Sequence, residues 1–205
     1  MLDVDSTLIE DEVIELIAER AGTREQVAAV TERAMRGELD FAQSLRERVA
    51  TLAGLDAAVI DGVRDEVRLT RGVPELIAGV HAAGGMIAAV SGGFHEVLDP
   101  LAERIGLDAW RANRLAVDGG RLTGAVDGPI VDAAGKASAL REWATAFSVP
   151  IERTVAIGDG ANDLAMMAEA GLSIAFDAKP RVRAEADLAL DVRDLSAVLG
   201  VLGLR

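Results

Sequence analysis

The chain has no cysteine and no tyrosine, and only four phenylalanines and two tryptophans among its 205 residues. Without cysteine there is no disulfide framework, no thiolate nucleophile and no sulfur-rich metal site. With few aromatics the core must be built from Ala, Val, Leu and Ile, which favours buried parallel strands flanked by helices. No uninterrupted apolar run approaches the roughly 18–20 residues of a membrane span. Positive charge is also scarce: the formal net charge is −13, which argues against broad nucleic-acid binding. The chain opens with charge at Asp3 and Asp5, unlike a secretory signal peptide. A soluble, cytoplasmic protein with neither nucleic acid nor membrane as a partner is the expectation. An acidic protein of this kind could handle an anionic ligand only with a metal and a few well-placed cations.

What is present is half apolar and long enough for one core domain with a modest insertion. After Thr7 the pattern is helical. Val13, Ile14, Leu16 and Ile17 form an apolar face that stops at Gly22. Thr23 with Gln26, and Asp40 with Gln43, read as capping boxes opening the next two helices. Asp56 is placed to cap a fourth through Val59 and Val67. Residues 10–70 thus read as a helical cap, inserted after the first strand of a core formed by residues 1–9 and 71–205. From Thr70 strands and helices alternate. Val73-Pro74 opens a helix that Gly84-Gly85 ends, Met86 to Val90 is a buried strand, and a helix follows to Ile105, with Pro100 bending or restarting it. Leu115 to Val117 and Arg121 to Thr123 read as a hairpin. A helix then runs from near Lys136 to Phe147, and a strand from Thr154 to Ile157. The remainder reads as a helix at Leu164–Ala170, strands at Leu172–Phe176 and Asp187–Leu190, and a closing helix at Leu195–Leu202. The pattern predicts a three-layer, Rossmann-like α/β fold with a parallel sheet.

Four short stretches carry the chemistry: Asp3-Val4-Asp5-Ser6-Thr7, Ser91-Gly92-Gly93-Phe94, Gly135-Lys136-Ala137, and Gly158-Asp159-Gly160-Ala161-Asn162-Asp163. The first leaves an apolar strand end, and the second and last each follow a short apolar run, which places them at the carboxyl edge where open α/β sheets bind ligands. An EF-hand starting at Asp3 fails, because it needs Gly at Leu8 and Glu at Ile14. Ser91 is no nucleophile elbow: the first Gly of Gly-x-Ser-x-Gly is missing, and His81 and His95 are badly placed for a triad. Gly158-Asp159-Gly160 is no dinucleotide fingerprint, since Asp163 stands where Gly is needed. Asp3, Asp5, Asp159 and Asp163 converging on one pocket would repel unless a cation neutralised them. An all-oxygen set without Cys or His suits Mg²⁺. Lys136 and Lys179 are the only lysines, and a lysine at a helix start opposes the dipole there, so a purely structural role for Lys136 is uncomfortable. His81, His95, Trp110 and Trp143 read as structural.

Taken together and in this order, the four stretches resemble the motifs of the haloacid dehalogenase-like phosphatases, and within that family the branch acting on O-phosphoserine. The resemblance spans nearly the whole chain. It implies Mg²⁺-dependent phosphate-ester hydrolysis in which Asp3 is the nucleophile and forms an aspartyl phosphate. Asp5 would be the general acid and then base. It also implies that Mg²⁺ is held by the Asp3 side chain, the Asp5 backbone carbonyl and Asp159, with Asp163 in support. Lys136, Ser91, Gly92 and Asn162 would bind the phosphoryl group. In the cap, Glu12 would pair with the substrate ammonium and Arg48 with its carboxylate, while Met35 and Phe41 form an apolar wall. A phosphotransferase acting on an acceptor such as homoserine, another phosphatase of the family, and a non-catalytic phospho-ligand-binding module remain the alternatives. Only Met1 and Leu2 precede Asp3, fewer than the resemblance leads one to expect. The expectation here is of a fragment, or of a start assigned too late.

Overall fold

The computed structural model of the chain describes residues 1–204, and of Met35 only the backbone. A seven-stranded sheet organises it, in the order β4 (Arg121–Asp127), β3 (Ala109–Asp118), β2 (Ala88–Phe94), β1 (Leu2–Asp3), β5 (Val155–Gly158), β6 (Leu172–Phe176) and β7 (Leu188–Leu190). The first strand, β1 (Leu2–Asp3), is central and two residues long. It pairs in parallel with β2 (Ala88–Phe94) through Leu2 and Ala89, and with β5 (Val155–Gly158) through Leu2 and Ile157. The Met1 ammonium donates to the Val155 carbonyl at 2.7 Å.

Between the turn that follows β1 and Thr70 lie only helices: α1 (Val13–Ala21), α2 (Arg24–Met35), α3 (Phe41–Ala50) and α4 (Val59–Glu66). An isolated bridge between Ile9 and Leu69 closes the base of this segment. α1 ends at Gly22, whose φ of 69° is the left-handed conformation glycine adopts without penalty. α3 opens on a complete capping box between Asp40 and Gln43. Two capping expectations are corrected. Thr23 precedes α2 but makes no capping hydrogen bond, and its hydroxyl is buried without a partner. Asp56 accepts from the Ala58 amide, so it closes the turn before α4 rather than capping the helix itself.

The alternating half begins with α5 (Val73–Ala82). β2 starts two residues later than its apolar run suggests and continues through Ser91 to Phe94, because the chain stays extended past the glycines. α6 (His95–Ile105) follows without a break and carries Pro100 inside it as one helix. The expected hairpin is longer than its apolar signal: β3 (Ala109–Asp118) runs parallel to β2 along its first half, then folds back on β4 (Arg121–Asp127). α7 (Ala133–Ala146), α8 (Leu164–Glu169) and β6 (Leu172–Phe176) come next. A short helix that the sequence pattern does not mark, α9 (Pro180–Glu185), has proline at its start. β7 (Leu188–Leu190) and α10 (Ala197–Val201) complete the fold.

Adjacent strand residues point to opposite faces, and here each face is covered. Ala89, Ile157 and Ile174 pack with Leu76 and Ile77 of α5 and Val198 of α10. Their neighbours Val90, Ala156 and Ala175 pack with Ala137 of α7, Met166 and Met167 of α8 and Val182 of α9. Two covered faces explain why these strands read as continuous apolar runs. The fold is therefore a three-layer α/β sandwich, parallel except for the β3–β4 pair. No helix among the described residues is long and apolar enough to cross a membrane.

Candidate active site

β1 ends at Asp3, and a wide turn over Val4–Leu8 comes after it, closed by the Ile9 amide on the Val4 carbonyl at 3.0 Å. Ser6 sits in the left-handed region at φ 59°. The turn brings Asp5 round to face the glycine end of β2. Its Oδ1 accepts from the Val13 amide at 2.8 Å, and its Oδ2 accepts from Ser91 Oγ at 2.9 Å. A Cβ at Gly93 would lie 3.0 Å from both the Asp5 carboxylate and Ser91 Oγ, so the residue there must be small.

Asp132 caps α7, its carboxylate accepting from the Gly135 amide at 2.9 Å. One residue beyond Gly135, Lys136 leaves the first turn and is fully buried, at 0% exposure. Its Nζ donates to Asp3 Oδ1 at 2.5 Å and to Asp163 Oδ1 at 2.7 Å. Asp163 is equally buried, and its second oxygen accepts from the Gly160 amide at 3.0 Å. Gly158, at the end of β5, is glycine because a Cβ there would run into the Asp163 side chain. One ammonium thus spans two carboxylates from two strand ends.

Three carboxylates, those of Asp3, Asp159 and Asp163, offer oxygens that all lie within 4.8 Å of one another. Asp5 is not among them; its carboxylate is turned instead to the Val13 amide and Ser91. Burial and the Asp163 charge push Asp3 well above the ordinary carboxylate range, against the pull of Lys136. Burial and Asp163 likewise raise Asp159, to about 6. Lys136 is desolvated, which would lower its pKa, but the Asp3 and Asp163 charges outweigh that and hold it protonated. The cluster therefore carries more negative charge than its one ammonium offsets. An all-oxygen set of this kind fits a hard divalent cation such as Mg²⁺.

Across a cavity of about 220 Å³ stand Glu12, Phe41 and Arg48. Glu12 precedes α1 and accepts from Ser6 Oγ at 2.7 Å. Its side chain keeps one side open to solvent, yet desolvation of its carboxyl and the nearby Asp5 charge push its pKa up to about 7. Arg48, on α3, makes no ion pair among the described residues; Nε donates only to the Ser44 carbonyl, at 3.3 Å. Burial lowers its pKa, opposed by the charges of Glu12 and Asp5. The Phe41 ring lies over Gly92, whose missing Cβ would approach the ring to 2.8 Å. Gly92 and Asn162 also line the cavity. The Met35 side chain lies outside the described residues. Lys179 borders the same cavity, although none of the four motifs marks it; the usable signal is its rarity, as one of two lysines in a strongly acidic chain. A larger cavity, about 290 Å³, opens at the other end of the strands, but its walls hold no carboxylate.

The chain is similar to known proteins over nearly its whole length. The haloacid dehalogenase-like hydrolase family profile matches residues 1–168. A phosphoserine phosphatase from Streptomyces coelicolor is 58% identical over 204 residues, all of this chain and 50% of the relative. This chain thus spans about half the length of that protein. One from Lactococcus lactis is 46% identical over 97% of this chain and 92% of its own length. A solved phosphoserine phosphatase described as a phospho-aspartyl intermediate analogue superposes with a TM-score of 0.91 at 41% identity, covering 98% of this chain and 96% of that one. The chain belongs to the haloacid dehalogenase-like hydrolases.

Proposed function

We propose that the chain hydrolyses O-phosphoserine to serine and phosphate, the closing step of serine synthesis, in the cytoplasm. The observation that carries this reading is a cavity with two differently charged walls. One wall has Asp3 bound to Lys136 at 2.5 Å among three convergent carboxylates. The other has Glu12 and Arg48, a negative and a positive group suited to the ammonium and carboxylate of an amino acid. In this reading the helices of residues 10–70 serve as a substrate-selecting cap.

Mg²⁺ would be held by the carboxylates of Asp3 and Asp159 and the Asp5 carbonyl, with Asp163 in support. When bound, it neutralises charge so that two anions can approach. The Asp3 carboxylate attacks phosphorus in line and becomes an aspartyl phosphate. Asp5 gives a proton to the departing serine oxygen and then takes one from the water that attacks the acyl phosphate. One residue serves both steps because the second half-reaction reverses the first. Lys136 orients Asp3 and offsets charge on the transferring group. Gly92 and Asn162, which line the cavity, contribute further contacts to its oxygens, while Ser91 holds Asp5.

Phosphate release from a panel of phospho-amino acids and sugar phosphates, with and without Mg²⁺, tests the reading. O-phosphoserine should be preferred, Mg²⁺ required, and Asp3→Asn inactive. Full activity in Asp3→Asn would sink the mechanism, and preference for a sugar phosphate would sink the substrate. Phosphoryl transfer to an added alcohol in place of water would make the protein a transferase instead.

A further inference from the structure

Asn113 lies in the middle of β3, is 1% exposed, and belongs to none of the four motifs. The ladder between β2 and β3 loses register between Val90 and Phe94. Such bulges strip carbonyls of their ladder partners and re-aim side chains beside active sites. Here the Gly92 carbonyl accepts instead from Asn113 Nδ2, at 2.8 Å. The same carboxamide accepts through Oδ1 from the Val131 amide, also at 2.8 Å. A carbonyl on one side and an N–H on the other leave only one way for the amide to face.

The bond to Gly92 acts through a peptide plane. The Gly92 carbonyl and the Gly93 N–H belong to one planar peptide, so holding the first fixes the second. Gly93 N–H donates to Ser91 Oγ at 2.7 Å, and Ser91 Oγ donates to Asp5 Oδ2 at 2.9 Å. A chain of three hydrogen bonds therefore leads from Asn113 to the carboxylate assigned as acid and base. The second arm, at Val131, adjoins Asp132, which caps the helix bearing Lys136. Asn113 is itself braced, since the neighbouring Ala112 amide donates to His95 Nε2 at 3.1 Å.

We propose that Asn113 is a positioning residue for the hydrolysis proposed above: its carboxamide sets the Gly92–Gly93 peptide and, through Ser91, the orientation of Asp5. This rests on the assignment of Asp5 to proton transfer, but not on the identity of the leaving group.

A double-mutant cycle on an aryl phosphate and on O-phosphoserine tests it. Asn113→Ala should lower kcat by about 10–100-fold, the usual effect of removing a supporting partner, with KM changed less than about threefold. In a Ser91→Ala background the same substitution should cost less than about twofold more, because the two residues act in series. Equal losses in both backgrounds would mean that Asn113 only holds the fold, and wild-type kcat in Asn113→Ala would end the idea. Should Asn113→Ala fail to fold, Asn113→Asp keeps an acceptor for Val131 and loses the donor to Gly92; wild-type kcat there overturns the proposal equally. Amide exchange at Gly93 supplies a readout apart from turnover: it should quicken in Asn113→Ala, and unchanged exchange counts against the proposal. If the protein hydrolyses the aryl phosphate but not O-phosphoserine, the substrate reading falls while the cycle still decides the role of Asn113.

Discussion

Lys136 reaches Asp3 from 133 residues further along the chain and holds its carboxylate at 2.5 Å, inside a site where both side chains are cut off from solvent. A buried ammonium shared by two buried carboxylates is stable only as a set, and that makes Lys136 a test of stability as well as of turnover.

Replacing Lys136 with Met should abolish phosphate release and leave Asp3 and Asp163 buried without a counter-charge. Removing one partner of a buried pair costs about 3–5 kcal/mol, or on the order of 6–20 °C in Tm at this chain length. Asp3 has its folded pKa raised, so its protonated form favours the folded state and stability is lost as pH rises through that pKa. The variant should therefore be weakest at neutral pH and recover on acidification, measured by thermal unfolding with a chelator present. A pH-independent loss would show that the charge cluster is not the cause.

The Arg48 guanidinium has no carboxylate partner among the described residues. Arg48→Ala should reduce kcat/KM for O-phosphoserine by the equivalent of about 2–5 kcal/mol, the range for truncating one side of a buried charge-assisted pair. Hydrolysis of an aryl phosphate, which has no amino-acid end, should change little. Equal losses on both substrates would remove Arg48 from the specificity wall.

Desolvation and the nearby Asp5 charge push the Glu12 carboxyl up to about 7. An ammonium binds its ionised form, so acidification below that value should weaken O-phosphoserine binding, by about tenfold in KM per pH unit when no other group compensates. The aryl phosphate corrects for titration of phosphate and of the catalytic carboxylates, and its KM should lack this limb. Glu12→Gln should lose the limb too. A common pH profile for both substrates would show that Glu12 does not meet the ammonium.

The Lys136 ammonium pairs with Asp3 and Asp163 but not with Asp159, so the three convergent carboxylates keep an excess of negative charge. Mg²⁺ at about one hundred times its dissociation constant should add about 2.7 kcal/mol, raising Tm by roughly 5–10 °C. Chelation should reverse the shift and Asp159→Asn should abolish it. An unchanged Tm, with or without Mg²⁺, would mean these carboxylates hold no metal.

Much of the fold is legible in one dimension. The apolar runs ahead of Ser91 and Gly158, together with the glycines around them, mark strand ends, because a strand covered on both faces must be apolar and a crowded turn must lack Cβ atoms. The stop at Gly22 and the Asp40–Gln43 box are equally local, since a cap satisfies amides within its own turn. Thr23 shows where local reading fails: the side chain has the right chemistry and spacing, but its conformation is set by packing that buries the hydroxyl. β3 exceeds its apolar signal because its first half, through Trp110, Arg111 and Asn113, gains its strand character from pairing with β2 rather than from its own pattern.

The residue types at the site, its acidity and its lack of nitrogen or sulfur ligands were determined by the sequence alone, since they depend only on composition and motif. Tertiary structure decided which carboxylates meet. Lys136 pairs with Asp3 and Asp163, Asp159 joins those two, and Asp5 is held by Ser91 and the Val13 amide. It also drew in Lys179, at the rim, and Asn113, beside the glycine end of β2. Neither has a motif to announce it. Their places depend on crossovers and on one bulge that bring distant segments within hydrogen-bond range, and no spacing along the chain encodes that.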